Sequence, residues 1–537
     1  MTDTWQKYLE SCSTLTRDNC GPMVLGVVSG SETDIDYWGE QLQSTISDVF
    51  RADGRTRIIP VAETISRGNF FGTLNAWEGV RGALASSQPT QDKVVLISML
   101  FGKGKRLSPF TQALGERKSA LPTARPATKS PYNLRTADLS HFCTTGLLAH
   151  LEQCGFQGAL IKWGDEALVP GRPLQTALDL SRVDAVRFVS HRQLSPDIAR
   201  EKEWIAYDGQ TGLMLRQIAR QDIEHIHKRV AAYGLQNMEL GVNLGSLAVS
   251  HTFLEVASRV LAADIANVRR RLDWDPYVWL ALFCANEEEW LAEIEHEARI
   301  GSRGISDLLV QFPDFFSKIH ALRVALEHET GRPLTVATLD FGEVLWIDYG
   351  LHLSLRSSLE SLVSDTLTGQ ATRQLFNIPQ VRDARGNTLV RSYVPPTADI
   401  RDSVIVDSVI LDERSVIHHA VVVGGRHRFL GMPYGGSAIF CAADRLDFLG
   451  SRAIALRSTG REFSLSEGDR HTCLFVHGSV IPMISNEAIT DYSGRNYSEP
   501  ILGNSISFAE AGEIMSQING HSIEAEWGHR WSTWLAR

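Results

Sequence analysis

Residues 93–122 read KVVLISMLFGKGKRLSPFTQALGERKSALP, and this stretch decides which fold the sequence predicts. Its apolar start, VVLISML, is typical of a strand that is buried on both faces of a sheet. A loop with glycines at 102 and 104 follows directly, and lysines and arginines are concentrated between Lys103 and Lys118. Parallel sheets bind ligands beyond the carboxyl ends of their strands, so the stretch predicts a binding site for a small polyanion.

The sequence on either side of this stretch alternates between apolar strands and helical patterns. Helices are predicted between strands that are expected at 23–29, 56–62, 93–100 and 158–166. This alternation predicts an α/β fold with a mostly parallel sheet covered by helices on both faces. The segment WGDE at 163–166 lies at the end of the last strand, as the glycine loop does at the end of the third.

Composition restricts the possible functions. The chain has 537 residues, 43% hydrophobic and 22% charged, which fits two or three globular domains. A net charge of −10 does not suggest wholesale nucleic-acid binding. Neither a signal peptide nor a long apolar span is recognisable, so no membrane association is expected. Seven scattered cysteines without a C-x-x-C pair argue against structural zinc and disulfides, and a cytoplasmic location is expected.

The middle of the chain has a more mixed pattern than the first part. Residues 175–365 are interpreted as a second part of the first domain. Within them, NEEEWLAEIEHEA at 286–298 is interpreted as a helix with a solvated acidic face. The predicted domains are 1–370, a linker at 371–395, a β-rich domain at 396–504 and a helical tail at 505–537.

The β-rich domain contains a short repeat. Ser-Val-Ile occurs at 403–405, 408–410 and 415–417, with two to four polar residues between the triplets. Apolar triplets at this spacing predict turns of a parallel β-helix, and a stack of hairpins is the alternative.

The glycine loop, G-K-G-K-R-L-S-P-F-T, resembles the G-x-G-T-R-L-x-P-L-T signature of sugar-1-phosphate nucleotidyltransferases, the nucleoside-diphosphate-sugar pyrophosphorylases. The matching residues are Gly102, Gly104, Arg106, Leu107, Pro109 and Thr111. Two positions depart from the signature, because Phe101 replaces the usual first glycine and Lys105 the usual threonine. A glycine loop alone is a weak signal, but further motifs match.

Three more motifs support the resemblance. Lys118, in ERKSALP, matches the family's lysine for the triphosphate, although the longer spacing leaves Arg117 as an alternative. Asp165 in WGDE matches the aspartate that holds magnesium. WIDYGLHLSL at 346–355 is similar to the family's W-x-D-x-G-T-H-x-S-L, so that Asp348 matches the second magnesium aspartate and Leu351 replaces threonine.

The resemblance implies a Rossmann-like nucleotidyltransferase fold with a left-handed β-helix-like appendage. The order of motifs differs from the family, because RGNFFGTLNAW precedes the glycine loop. Its Gly72 and Thr73 resemble the Gly-Thr that reads the base at a helix start. We therefore expect a circularly permuted core, which is tolerable where chain ends lie close together at a surface. Strands from 23–62 outside the sheet would contradict this hypothesis.

The reaction implied is transfer of a nucleotidyl group from an NTP to a sugar-1-phosphate, with Mg2+ as the cofactor and pyrophosphate as the leaving group. Arg106 and Lys118 would be catalytic, and Asp165 and Asp348 would hold the metal. Residues for the nucleotide would be Gly102, Gly104, Lys105, Gly72 and Thr73, and residues for the sugar would be Asn243 and Gly245. Arg216 or Arg220 are candidates for the sugar phosphate. The resemblance does not select the base or the sugar, and a homo-oligomer is expected.

Alternatives remain open at this level. Each candidate residue has a structural interpretation, such as a surface charge for Arg106 or a turn for Asp348. A catalytically inactive nucleotide-sugar-binding subunit of the same fold would explain the departures at Phe101 and Lys105. An acyltransferase that uses His418 and His419 of the β-helix-like region is a third hypothesis.

Overall fold

The computed structural model describes residues 2–30, 32–63, 69–85, 94–127, 133–233, 237–267, 275–299, 308–310, 312–492 and 494–535. The helices in these residues are, in chain order, α1 Thr2–Arg17, α2 Ile35–Val49, α3 Asn69–Ala85, α4 Phe110–Ala113, α5 Thr136–Gln153, α6 Pro196–Glu201, α7 Ile223–Tyr233, α8 His251–Val260, α9 Ala262–Asn267, α10 Asp275–Phe283, α11 Glu287–Arg299, α12 Phe315–Thr330, α13 His352–Val363, α14 Leu367–Leu375, α15 Gly494–Ser498, α16 Phe508–Ser516 and α17 Gly520–Leu535.

The strands of the first part are β1 Val24–Ser29, β2 Arg57–Ala62, β3 Val95–Met99, β4 Pro122–Pro126, β5 Asn133–Arg135, β6 Gly158–Trp163, β7 Glu166–Val169, β8 Ala185–Ser190, β9 Trp204–Asp208, β10 Met214–Ile218, β11 Met238–Ser250, β12 Val336–Asp340 and β13 Leu345–Asp348. Those of the second part are β14 Thr388–Val390, β15 Asp399–Arg401, β16 Val404–Ile410, β17 Val416–His418, β18 Ala420–Met432, β19 Gly436–Phe448, β20 Ile454–Leu456, β21 Thr459–Leu465, β22 Asp469–Val476 and β23 Ser479–Asn486.

A nine-stranded sheet organises the first part of the chain. Its order is β10-β9-β11-β6-β3-β1-β2, with β8 paired to β11 and β12 paired to β8. The strands β2, β1, β3 and β6 are parallel neighbours, whereas β11 runs antiparallel to β6, β8 and β9. The predicted mixed α/β fold is confirmed at this level. β1 and β2 lie in the same sheet as the glycine-loop strand β3. The hypothesis of a permuted core requires this arrangement and is not contradicted by it.

The sheet is buried on both faces because alternate residues of its strands enter different apolar clusters. In β3, Leu96 belongs to one cluster, whereas Val95 and Ile97 belong to the other. In β1 the same alternation separates Leu25 from Val24. This two-sided burial explains the continuous apolar runs that predicted these strands. It also leaves the sheet edge as the place where polar side chains gather.

The C-terminal region is rich in strands, as predicted. A ten-stranded sheet has the order β14-β16-β18-β19-β20-β22-β23, with β15 and β17 joining at β18 and with β21 joining at β19. All of these pairs are parallel except β22 with β23. The repeated Ile405 and Ile417 are fully buried in one cluster with Leu430 and Leu446. No helix among the described residues is both long enough and apolar enough to cross a membrane.

Candidate functional site at the carboxyl edge of the sheet

The glycine loop leaves β3 at the carboxyl edge of the sheet. Gly102 has a φ of +112° and Gly104 a φ of +60°, a region that side chains with a Cβ rarely adopt. Within the described residues, the amides of Gly102, Lys103 and Gly104 donate no hydrogen bond. A loop with uncommitted N–H groups and with no Cβ at two of its three positions can approach the oxygens of a phosphate closely.

Lys118 lies directly beneath this loop. A Cβ at Gly104 would come within 2.9 Å of the Lys118 Cβ, and one at Gly102 within 3.4 Å of its Cε. The Lys118 Nζ reaches the Asp165 Oδ2 at 2.6 Å. Asp165 belongs to the turn between β6 and β7, and its side chain is only 5% exposed. The structure therefore brings together the loop glycines, the lysine and the first of the two predicted metal carboxylates.

Asp348 lies beside Asp165 because a second, small sheet joins their segments. β7 and β13 form an antiparallel pair in which Asp348 stands opposite Glu166. The Tyr349 amide donates to the Asp165 carbonyl at 3.0 Å, which fixes the two segments against each other. The Asp348 Oδ1 accepts a hydrogen bond from the Gly350 amide at 2.6 Å.

Gly350 shows how closely the charged groups converge. A Cβ at this position would lie 2.8 Å from the Asp348 Oδ1, 3.5 Å from the Arg106 Nη2 and 3.7 Å from the Asp165 Oδ2. Among the described residues, Arg106 makes no ion pair or hydrogen bond that would withdraw its guanidinium from this point. The space that glycine leaves open is therefore lined by two carboxylates and one arginine. This donor set fits a divalent cation such as Mg2+, which takes one or two protein carboxylates together with substrate phosphates.

A buried ion pair between Lys162 and Glu166 lies next to these two carboxylates. The Lys162 Nζ lies 3.7 Å from the Glu166 Oε2, and the Lys162 side chain is 3% exposed. Burial, followed by the neighbouring carboxylates Asp165 and Asp348, raises the pKa of Glu166 although Lys162 opposes the shift. Burial also lowers the pKa of Lys162. Three acidic groups and two lysines thus share one small volume at the sheet edge.

Two basic residues from the same motifs point elsewhere. The Lys105 Nζ lies over the Tyr497 ring, 4.4 Å from its centroid, rather than over the carboxylates. Arg117 is buried, and its Nε donates to the Asp34 Oδ1 at 2.9 Å. The interpretation of Arg117 as an alternative to Lys118 is therefore wrong, because its charge is neutralised in the protein interior.

The predicted base-reading pair is divided between two environments. Gly72 lies in the first turn of α3, and a Cβ there would meet the Glu63 Oε1 at 3.0 Å and the Met99 Cε at 3.4 Å. Met99 ends β3, so Gly72 faces the same sheet edge as the glycine loop. Thr73 instead lines a small apolar cavity under the sheet with Phe253 and other core residues.

The predicted sugar-binding pair lies at an irregularity of β11. The Asn243 Nδ2 donates to the Glu203 Oε2 at 3.0 Å, and its Oδ1 accepts from the Gly245 amide at 3.2 Å. Both ends of this amide therefore have protein partners. Gly245 has a φ of +78°, and a Cβ there would lie 3.2 Å from the Trp163 Nε1. Gly245 therefore lies against the last residue of β6.

Arg216 and Arg220 are held by carboxylates of their own. Arg216 is buried between Glu289 and Glu293, with its Nη2 3.1 Å from the Glu293 Oε1. The Arg220 Nη2 lies 3.3 Å from the Glu203 Oε1. Arg216 is therefore wrong as a sugar-phosphate ligand. The prediction of a solvated acidic face for α11 is wrong at Glu293, because this side chain is fully buried.

The sequence reasoning missed two cations that lie over Trp346. The Arg192 guanidinium carbon lies 5.5 Å, and the Lys202 Nζ 4.8 Å, from the centroid of this ring. Neither cation has a carboxylate partner among the described residues. Trp346 precedes Asp348 by two positions on β13, so both side chains lie on the same face of the strand, about 7 Å apart along it. Only the tryptophan of WIDYG signalled this neighbourhood in the sequence.

A second polar cluster lies further along the same edge. The His191 Nε2 is 3.1 Å from the Asp340 Oδ2, and the Tyr207 hydroxyl lies 2.9 Å from carboxylate oxygens of both Glu239 and Asp340. Asp340 also pairs with Arg172. Tyr207, Arg172 and Asp340 line a groove of about 580 Å³. Its acidic groups are already engaged by protein partners.

The two histidines of the acyltransferase hypothesis are paired separately. The His418 Nε2 lies 3.0 Å from the Asp399 Oδ2, and the largely exposed His419 lies 3.8 Å from the Asp402 Oδ2. They do not share a partner. Comparison of the chain with protein-family models and with curated proteins gave no match in either case.

Proposed function

We propose that this protein transfers a nucleotidyl group from a nucleoside triphosphate to a sugar-1-phosphate, with Mg2+ as its cofactor. The observation that carries the proposal is the convergence of Arg106, Asp165 and Asp348 around Gly350, next to a glycine loop with uncommitted amides. Two anions must meet in this reaction. A site that combines phosphate-binding amides, cations and metal-binding carboxylates suits that requirement.

The donor nucleotide would bind at the glycine loop. The amides at 102–104 would bind phosphate oxygens, and the Arg106 fork would grip a phosphate in two places. Lys118 would exchange its contact with Asp165 for the β- and γ-phosphates. An oxygen of the sugar phosphate then attacks the α-phosphorus, forming a new P–O bond. The bond from the α-phosphorus to the bridging oxygen breaks, and pyrophosphate leaves with the electron pair.

Asp165 and Asp348 would hold Mg2+, which supplies positive charge between the two anionic substrates. Glu166 and Lys162 would fix these two carboxylates from the buried side. The chain needs no general base for this reaction, because the attacking sugar phosphate is already anionic.

The sugar phosphate would enter on the side of Arg192 and Lys202. These cations lie over Trp346, on the strand face that leads to Asp348. Gly245 lies against Trp163, which precedes Asp165 by two positions. An acceptor in this position would have its anionic group near two cations that have no carboxylate partner in the described part of the chain.

The finer fold follows the same proposal. We infer that the nine-stranded sheet is a permuted, Rossmann-like nucleotidyltransferase core, in which β1 and β2 stand beside the glycine-loop strand. We also infer that the parallel strands β14–β21 form a short left-handed β-helix. Their buried isoleucines and the parallel register support this inference.

An inactive nucleotide-sugar-binding subunit is the second candidate. It was motivated by Phe101 and Lys105, and the structure gives both residues packing roles. Phe101 contacts the edge of Trp163 with ring centroids 6.2 Å apart, and Lys105 lies over Tyr497. Neither contact closes the space around Gly350, so we favour catalysis.

The test is pyrophosphate release with Mg2+ for each of the four common NTPs, paired with a panel of sugar-1-phosphates. We expect one productive pair, and we expect Asp165→Ala and Asp348→Ala to abolish its turnover. Asp222→Ala is the matched control, because this aspartate pairs with Arg200 outside the site and should leave turnover unchanged.

The remaining outcomes separate the two candidates. Nucleotide binding without turnover for any pair would support the inactive subunit. A wild-type protein that binds no nucleotide by calorimetry would contradict both.

A further inference from the structure

Two of the three basic side chains on the glycine loop turn away from the carboxylates. The Lys103 Nζ pairs with the Glu116 Oε2 at 2.6 Å. The Lys105 Nζ lies 4.4 Å from the centroid of the Tyr497 ring, in the short helix α15. Only Arg106 remains directed at the space around Gly350. The loop is therefore attached to the C-terminal segment on the side opposite to the candidate phosphate site.

Tyr497 and Glu116 connect these two attachments. The Tyr497 hydroxyl donates to the Glu116 Oε1 at 3.4 Å, and Tyr497 is 9% exposed. Burial, followed by the charge of Glu116, raises the pKa of Tyr497 to about 12, so the hydroxyl remains a donor at neutral pH. Glu116 thus contacts both Lys103 and Tyr497, and Tyr497 contacts Lys105. These side-chain contacts connect the two lysines of the loop.

The C-terminal segment packs closely against Glu116 and its neighbours. A Cβ at Gly512, in α16, would lie 2.6 Å from the Glu116 Oε1, so a larger residue would displace the Glu116 carboxylate. The Arg117 Nη2 donates to the Ile518 carbonyl at 3.2 Å. Ala113, at the end of α4, is buried in one apolar cluster with Met515. The segment 494–518 therefore contacts both the loop and the turn that carries Lys118.

We propose that Tyr497 of the C-terminal segment is a positioning residue, which holds the glycine loop in the conformation that binds a nucleotide. This inference rests on the proposed function, because it assigns the loop to a nucleotide. Tyr497 itself would not touch the nucleotide. It would hold Lys105 and, through Glu116, Lys103, so that the amides at 102–104 stay available for phosphate oxygens.

The test compares Tyr497→Ala with Tyr497→Phe. Phenylalanine keeps the ring under Lys105 and loses only the hydroxyl, whereas alanine loses both. We expect Tyr497→Ala to speed hydrogen exchange in the ligand-free protein at the amides of Leu107 and Ser108, which donate to the loop carbonyls of Gly104 and Lys105. We also expect it to weaken binding of the preferred NTP with Mg2+ by about tenfold in calorimetry. Tyr497→Phe should keep the exchange of the loop and the affinity for the NTP close to those of the wild type.

Ile501→Ala is the matched control, because Ile501 packs in the same C-terminal apolar cluster. It should lower thermal stability and leave both loop exchange and nucleotide affinity unchanged. Unchanged loop exchange in Tyr497→Ala would overturn the inference, and so would faster exchange with wild-type affinity. If the wild-type protein bound no NTP, the proposed function would fail, and the exchange measurement would still decide whether Tyr497 holds the loop.

Discussion

Gly350 is the residue on which the shape of the candidate site depends. Gly350→Ala adds a Cβ 2.8 Å from the Asp348 Oδ1, in the space between both carboxylates and Arg106. We expect turnover to fall at least tenfold, because the carboxylate must move or the space is filled. Gly39→Ala is the control, since no atom lies within 4 Å of its added Cβ. Pyrophosphate release and urea denaturation of both variants measure the effect, and wild-type turnover in Gly350→Ala would contradict this view of the site.

A second prediction at the residue scale concerns His427. This side chain is fully buried, neither ring nitrogen has a hydrogen-bond partner among the described residues, and burial lowers its pKa to about 4. A histidine with a depressed folded-state pKa stabilises the protein least in acid. Its contribution is intact above the unfolded pKa of about 6.5 and is lost as the pH falls toward 4.

His427→Leu should therefore remove part of the acid sensitivity. Between pH 7 and pH 5 the wild-type histidine costs about 2 kcal/mol of unfolding free energy, which the leucine variant would not lose. Urea denaturation at both pH values measures this difference. An equal loss of stability in the two proteins would show that His427 does not titrate as its burial requires.

Residue identity predicted much of the candidate site, because glycines, aspartates and lysines in a motif carry their chemistry with them. Asp165, Asp348, Arg106 and Lys118 were named from the sequence and lie together. Neighbours from distant segments were not predictable in this way. Arg117 and Lys118 are adjacent and equally basic in the sequence, and only the position of Asp34 separates their roles.

At the scale of elements, the proposed function assigns the acceptor to the segment between β8 and β9, which carries Arg192 and Lys202. We expect Arg192→Ala and Lys202→Ala each to raise the KM for the sugar phosphate about tenfold, because each removes a cation from the acceptor side. The affinity for the NTP should change little. Arg200→Ala is the control on the same segment, because its guanidinium pairs with Asp222. A higher KM for the NTP alone would contradict this assignment.

The strands were easier to predict than the connections between them. The run at 93–100 agrees closely with Val95–Met99, because a strand that is buried on both faces leaves an uninterrupted apolar signal. The run at 56–62 agrees closely with Arg57–Ala62, although this edge strand is mostly half-buried. The strand predicted at 158–166 ends at Trp163 instead, and a new strand begins at Glu166. The turn that carries Asp165 is invisible in an apolar pattern.

At the scale of the whole molecule, α17 joins the tail to the rest of the chain. Trp527 is 1% exposed, packs edge-on against Phe440 with ring centroids 5.6 Å apart, and lies under Arg457. Trp527→Ala should lower the unfolding free energy by about 3–5 kcal/mol, as for other buried aromatic truncations. Urea denaturation measures this loss. A loss below about 1 kcal/mol would show that the tail contributes little to folding.

One apolar cluster links regions that the sequence assigned to separate domains. It contains Trp5 of α1, Leu375 of α14, Val421 of β18 and Trp527 of α17. Composition predicted a boundary near 371–395, because polar and Pro-rich stretches often mark linkers. Packing across such a boundary leaves no local signal in the sequence. The contact between Glu116 and Tyr497, 381 positions apart, is the clearest case.

That separation has a consequence for the order of synthesis. Strands β1, β2 and β3, three of the nine strands of the sheet, leave the ribosome before Tyr497, together with the glycine loop. Tyr497 is translated 381 residues after Glu116, its partner beside the loop. A nascent chain that already displays the loop would therefore still lack the residue that we propose to hold it, and translation of the segment around Tyr497 would mark the moment at which the loop becomes able to retain the proposed nucleotide.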